Sequence, residues 1–346
     1  MYSSDLLEIL SDSAPVKVGD SRNNMVIDHF GDITAEVLAL ETGTVVCPLP
    51  AFVRLQVTGR DRARYLHNFC TNDVNNLATG RGCEAFFTDV KARVLAHGYV
   101  LALPDVHEIW MLPGDEDRLL NHLNRYIITE DVTISSVSAT TSMFAVAGPL
   151  TESVIVKAAS DTGLSDTGSI ETGQCWQSGS TAGLMVRWND TPVALLSTSA
   201  AASLWQQLTE QGAVPAGMIV FDHLRILEGF PIIGVDLSDQ NLAPEADRNQ
   251  QAISYTKGCY LGQEPIARID AMGHVNRRLF RCTATAAPSA AAPESSDLPL
   301  VTSRSRIGTP SGPALVQLSV RQAADTEVPA RDSQQNLLNL TITPTS

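Results

Sequence analysis

From Phe52 to Ala147 the hydrophobic period of the sequence switches repeatedly between that of a strand and that of a helix. That alternation restricts the fold more than any other feature. Phe52, Val53, Leu55 and Val57 read as a strand closed by Gly59. DRARYLHNFC (61–70) follows as a helix, with Ala63, Leu66 and Phe69 (beside Cys70) on one face. TNDVNNLATGRG supplies the Asn, Asp and Gly of a loop. EAFFTDV and RVLAHGYVLAL (84–103) read as two hairpin strands joined near Lys91 and Ala92. DEDRLLNHLNRYI (115–127) is an amphipathic helix. Its acids lie in the first turn, where the helix dipole favours them, and Leu119, Leu120, Leu123, Tyr126 and Ile127 form its apolar face. Residues 132–147 return to strand, so this part is an α+β body.

The 346 residues predict two or three domains at roughly 100–200 residues each. Residues 1–40 read as a lead-in with a short helix around Asp5–Leu10. Residues 151–213 form a second unit: a helix (TESVIVKAA), a Gly/Ser/Thr-rich loop near 161–181, strands around 183–188 and 193–197, and a closing helix (AASLWQQL). DHLRILEG (222–229) is a short helix stopped by Gly229. TATAAPSAAAPESSD (283–297) reads as an exposed loop. LPLVTS, ALVQLSV and LLNLTIT then alternate apolar and polar residues, as a small β-barrel or sandwich does.

The net charge of −14 disfavours generic nucleic-acid or anionic-membrane binding, which needs positive surface. No direct DNA contact is expected. Arg277, Arg278, Arg304 and Arg306 form the one basic cluster worth testing. Six cysteines are scattered, without CxxC or zinc-site spacing, which suits a reducing compartment. The acidic N-terminus does not read as a signal peptide, and no apolar run approaches a membrane span of ~20 residues. A cytoplasmic protein without metal or membrane attachment is the expectation.

There is no phosphate loop, HExxH or GxSxG. Gly80–Ala85 matches GxGxxA, but a polar loop precedes it and a strand follows, the wrong context for a dinucleotide site. The informative segment is ISYTKGCYLGQEPIARIDAMGHVNRR (253–278). Gly258 and Gly262 let the backbone approach another group closely. Lys257 beside Cys259 favours a thiolate, so Cys259 reads as a reactive thiol. Gln263 and Glu264 suit the edge of a heterocycle. The plainer alternative is a structural turn with a buried Cys and an ion pair of Glu264 with Lys257 or Arg268.

KGCYLGQE resembles the KGCYxGQE signature of the YgfZ-type folate-binding proteins, relatives of the glycine-cleavage T-protein (aminomethyltransferase). Gly59–Asp61, Leu66, Cys70–Val74, Leu77 and Gly80 resemble the family's GxDxxxFLxxLxTNDVxxLxxG stretch. Arg225–Gly229, Gly234–Asp236 and Pro244–Glu245 resemble its RxxxG…GxD…PE segment. Val301–Ser303 and Ala314–Leu315 resemble the closing barrel, so the resemblance covers roughly 45–320. It implies three lobes around a central opening that holds a reduced folate: an N-terminal lobe 1–147, a second lobe 148–275 and a C-terminal barrel 276–346. It also implies cofactor contacts from Tyr260, Gly262, Gln263, Glu264, Arg268, Asn72, Asp73 and Arg225.

The T-protein's GGxxDD aspartates are replaced here by Ala96 and His97, in Lys91–His97. Its RLEAG reads Arg225-Ile226-Leu227-Glu228-Gly229, with Leu227 at the glutamate position and Glu228 about 100° further round a helix. Both departures weaken the aminomethyltransferase reading. The resemblance therefore implies a tetrahydrofolate (or one-carbon folate) binder that supports iron–sulfur enzymes, including tRNA-modifying ones, with Cys259 as the reacting thiol and Lys257 poising it. The alternative is a folate-dependent aminomethyl or one-carbon transferase with His97 as base; a folate-free docking scaffold is the third possibility.

Overall fold

The computed structural model describes residues 4–12, 16–19, 25–50, 52–158, 169–273, 275–286, 298–307, 311–319, 323, 327–334 and 336–343. The chain divides into two compact units, and neither is a continuous stretch of chain. One comprises Met1–His67, Asp73–Ala85 and Gly98–Phe221; the other Asn68–Asn72, Phe86–His97 and Asp222–Ser346.

The first unit contains a six-stranded sheet in the order Cys175–Ser178, Thr181–Trp188, Thr191–Thr198, Ser142–Ala147, Val45–Leu49 and Val214–Pro215. Neighbours are antiparallel except the last pair. The central strands are buried at nearly every position, as strands covered on both faces are. Phe144, Val146, Leu196 and Met185 pack with Trp205 and Leu208 of the helix Ala201–Glu210, and with Leu6 and Leu10 of the helix Ser4–Asp12.

A second, five-stranded sheet runs Arg81–Thr88, Val94–Ala102, His107–Met111, Val53–Thr58 and Thr133–Ser136. Residues 86–88 and 94–97 of its first two strands belong to the other unit. A buried ion pair crosses it: Arg54 donates to both carboxylate oxygens of Glu108 at 2.7 Å, and Trp110 Nε1 donates to the same carboxylate at 2.8 Å. The amphipathic helix is Glu116–Asn124, capped by the Asp115 side chain on Arg118 N. Leu119 and Leu123 are its fully buried apolar residues.

The other unit carries a five-stranded antiparallel sheet in the order Val301–Arg304, Ser311–Ser319, Arg277–Ala286, Leu337–Ile342 and Glu327–Arg331. A parallel bridge from Leu300 to Arg331, with Arg331 N donating to Pro299 O at 2.9 Å, ties the two edge strands together. Where a C-terminal barrel was expected, the sheet curves as a half-barrel around Phe280, Val316, Leu318, Leu338 and Leu340, its edges meeting at that bridge. A second core in this unit joins Phe86, Ala92 and Val94 to Ala252, Ile253, Tyr260 and Ile266.

The fold is mixed α+β, as expected. Local readings shift in four places. The lead-in also holds the strand Met25–His29 and the helix Ile33–Thr42. Cys175–Ser178 is a strand inside the supposed loop near 161–181, of which 159–168 lie outside the described residues. The helix before Gly229 is Met218–Leu227, longer at its start. Thr283–Ala286 continue a strand, and 287–297 lie outside the described residues.

Candidate functional site

The loop 253–262 is anchored to two early segments of its own unit. Thr71 Oγ1 donates to Ala252 O at 2.6 Å and accepts from Phe86 N at 2.9 Å; Ser254 N donates to Thr71 O at 2.9 Å. Leu261 N donates to Asn68 O, and Leu261 O accepts from Thr88 Oγ1, both at 2.9 Å. Gly262 closes the loop at φ +85° before the helix Gln263–Met272. A Cβ there would lie 2.5 Å from Thr88 Oγ1 and 2.6 Å from the backbone oxygen of Asp89, so only glycine fits.

Lys257 is buried. Its Nζ donates to Cys70 O at 2.7 Å and Asn72 O at 2.8 Å, and stands 4.6 Å from the centre of the Tyr260 ring. The ammonium expected to steady a Cys259 thiolate thus faces two carbonyls and a ring. Tyr260 is buried in the core with Phe86 and Ile266, and burial pushes its phenol well above the usual range, with Tyr255 and Cys70 adding to the shift. Cys259, between these two buried anchors, is exposed, which removes the plainer reading of a buried cysteine.

Asn72 donates its amide to Gln251 O at 3.0 Å and so joins the same assembly. Asp73 belongs to the other unit; its carboxylate accepts from Asn76 N at 3.1 Å and from the Asn76 amide at 2.7 Å, and lies 3.2 Å from His67 Nδ1. Gln263 is half-buried; Glu264 and Arg268 are exposed on their helix. Arg225 is buried and engaged in three directions: Nε to Asp222 at 2.7 Å, Nη1 to Asp236 at 2.9 Å and Nη2 to Ser303 Oγ at 3.1 Å.

A second cluster shares Phe86. His97 is buried between the Phe86 ring (4.5 Å between centroids) and the Phe230 ring (4.9 Å). Arg248, only 2% exposed, lies over the other ring of this pair, 5.6 Å from the Phe230 centroid. Glu228 is 5% exposed, whereas Leu227 is 48% exposed. The buried carboxylate at this helix end is therefore at 228, and Leu227, which aligns with the T-protein's glutamate, is half exposed. Glu228, Phe230 and Arg248 were not among the expected binding residues. Only the segment resemblance around 225–229 hinted at the first, and no local pattern marks a buried arginine.

Among the described residues no group of three or more His, Cys, Asp or Glu is placed to hold a metal ion, and no helix is long and apolar enough to cross a membrane. All six cysteines are free thiols.

These features sit in a known architecture. Residues 22–189 match the GCVT N-terminal domain family. The crystal structure of glycine cleavage system aminomethyltransferase T from Bartonella henselae superposes with a TM-score of 0.79 at 13% identity, covering 98% of this chain and 96% of that one. The chain is thus similar to the GcvT proteins in fold and, over residues 22–189, in sequence. Among relatives, it is 30% identical over 276 residues to a putative chloroplastic transferase of Arabidopsis thaliana, a match spanning 78% of this chain but 62% of that protein's length. It is 27% identical over 241 residues to the tRNA-modifying protein YgfZ of Colwellia psychrerythraea, covering 68% of this chain and 71% of the relative. The YgfZ proteins are therefore among its relatives.

Proposed function

We propose that this protein binds tetrahydrofolate or a one-carbon derivative and supports the assembly or repair of iron–sulfur enzymes, tRNA-modifying ones included, through the Cys259 thiol. The observation that carries the reading is an exposed thiol between two buried anchors, Lys257 and Tyr260. It stands in the same unit as a buried carboxylate, a buried guanidinium and stacked rings. The residues fit a pterin. Its amine and ring N–H edge needs a carboxylate, which Glu228 supplies. Asn72, Gln263, Glu264 and Arg268 would shape the neighbourhood, while Arg225 and Gly262 would hold the backbone that frames it. When bound, the reduced folate supplies a carrier for a one-carbon unit.

Lys257 positions the thiol by fixing the loop's path. The Cys259 thiolate attacks one sulfur of a client's disulfide, forming a mixed disulfide as the client's S–S bond breaks and its other sulfur leaves as a thiolate. The iron–sulfur cluster is the client's. The strongly acidic charge argues for an indirect effect on tRNA. The cytoplasm is the proposed compartment.

The likeness to an aminomethyltransferase favours a second reading, transfer of an aminomethyl group. Against it, Ala96 has no ionisable group, and His97 lies packed between two phenyl rings. A glycine-cleavage assay with the lipoyl carrier protein separates the two, since only the second reading predicts turnover. The first is tested by anaerobic calorimetric titration of the reduced protein with tetrahydrofolate. Saturable binding, weakened by Glu228→Gln, is expected; no heat at millimolar ligand would overturn the folate assignment.

A further inference from the structure

A groove of about 690 Å³ lies in the C-terminal unit, within the size range of small-molecule sites. It shares no lining residue with the loop around Cys259 or the cluster around Phe230. One wall is the turn from Gly234 to Asn241; the other is the half-barrel sheet.

Most polar groups of the groove are already satisfied. Asp236 accepts from Arg225 Nη1 and Ile232 N, both at 2.9 Å, and from Thr302 Oγ1 at 2.8 Å. Asn241 accepts from Ser238 N at 2.9 Å and donates to Glu245 at 3.0 Å. Two groups stand apart. The Gln317 carboxamide has both its nitrogen and its oxygen buried with no hydrogen-bond partner among the described residues. Arg277 is exposed and makes no ion pair among the described residues. A buried amide with neither atom paired calls for an explanation. The terminal torsion of glutamine is broad, so the amide turns toward the groove at little cost.

The sheet register sets the distance between the two. Gln317 pairs with Leu279 and Arg277 with Ser319, so Arg277 and Gln317 are diagonal neighbours on one face, about 7 Å apart. The guanidinium takes a carboxylate in two parallel hydrogen bonds. The carboxamide takes a group that offers a donor and an acceptor side by side, which is another amide. On the rim, Val235 and Leu300, each 51% exposed, offer apolar contact.

We propose that this groove binds a small ligand presenting an amide next to a carboxylate: an N-acyl amino acid, either as the γ-glutamyl end of a larger cofactor or as a peptide C-terminus. The site stands whether or not the protein binds a pterin. The test titrates the full chain with N-acetyl-L-glutamate, γ-L-glutamyl-L-glutamate and N-acetyl-L-alanyl-L-alanine, with glutarate (no amide) and N-methylacetamide (no carboxylate) as controls at equal ionic strength. The amide-carboxylates are expected to saturate, and the controls are not. Arg277→Gln and Gln317→Leu should each weaken binding about tenfold or more, the loss of one good charged or polar contact. Gln317→Leu should melt no lower than the parent, because it removes a buried unpaired amide. Preference for the γ-linked probe assigns the groove to a cofactor tail; preference for the α-linked probe assigns it to a peptide end. Equal binding of glutarate, unchanged affinity in Gln317→Leu, or no saturation by about 10 mM ligand would overturn the proposal.

Discussion

Cys259 and Lys257 are two residues apart and do opposite things. One side chain is in solvent and the other is locked under backbone carbonyls. Replacing Cys259 by Ser should change the unfolding free energy measured in urea by less than about 0.5 kcal/mol, as exposed positions do, yet abolish complementation in cells lacking the protein. Replacing Lys257 by Met removes two charge-assisted hydrogen bonds to buried carbonyls and should cost about 2–4 kcal/mol in the same denaturation experiment. Gly262→Ala should cost more than about 2 kcal/mol, since it combines a left-handed backbone with a clash against Thr88 and Asp89. The unusual character of this stretch was legible in the sequence, because glycines and a cysteine close to a lysine are locally uncommon. The partners of its residues were not: Lys257 bonds to residues 187 and 185 positions away. Glu228 was missed for a subtler reason. The segment resemblance puts Leu227 at the glutamate position, and a residue one step along a helix is turned by about 100°, so Glu228 was set aside as a substitute.

The helix Met218–Leu227 shows how one side chain can organise an element. Arg225 joins this helix to Asp236 in the following turn and to Ser303 on the first strand of the half-barrel. The Asp236 side chain has no exposed surface, so Arg225→Ala would strand a buried carboxylate. A loss of about 3–5 kcal/mol is expected by chemical denaturation, and the paired change with Asp236→Asn should recover part of it. Elements themselves were legible wherever a clear period ran for several residues. The Thr181–Trp188 and Thr191–Thr198 strands and the Ala201–Glu210 helix are examples. Short strands embedded in polar text, such as Cys175–Ser178, were not, because a neighbouring strand rather than their own pattern holds them.

Across the whole molecule, acid should act through buried histidine. His107 is buried and receives Arg62 Nε at 3.2 Å. Burial and the nearby guanidinium push its pKa down to about 4. Between the ordinary histidine value and about 4 the unfolded chain binds a proton that the folded chain refuses. Stability should therefore fall as pH drops through that window, by on the order of 3 kcal/mol at its lower end. His107→Gln should flatten the dependence of the urea midpoint on pH between 6.5 and 4, whatever its own cost. The α+β class was legible at this scale, because periods alone decide it. The division into units was not, since residues 68–72 and 86–97 join a body otherwise built from residue 222 onward. That interleaving has a cost during synthesis. A ribosome adding roughly 5–20 residues per second makes Phe86, Ala92 and Val94 wait many seconds for Ala252, Ile253 and Tyr260 to emerge. A message cut short anywhere in that interval yields a chain whose apolar residues have no cover, and such chains should depend on holding chaperones far more than the finished protein does.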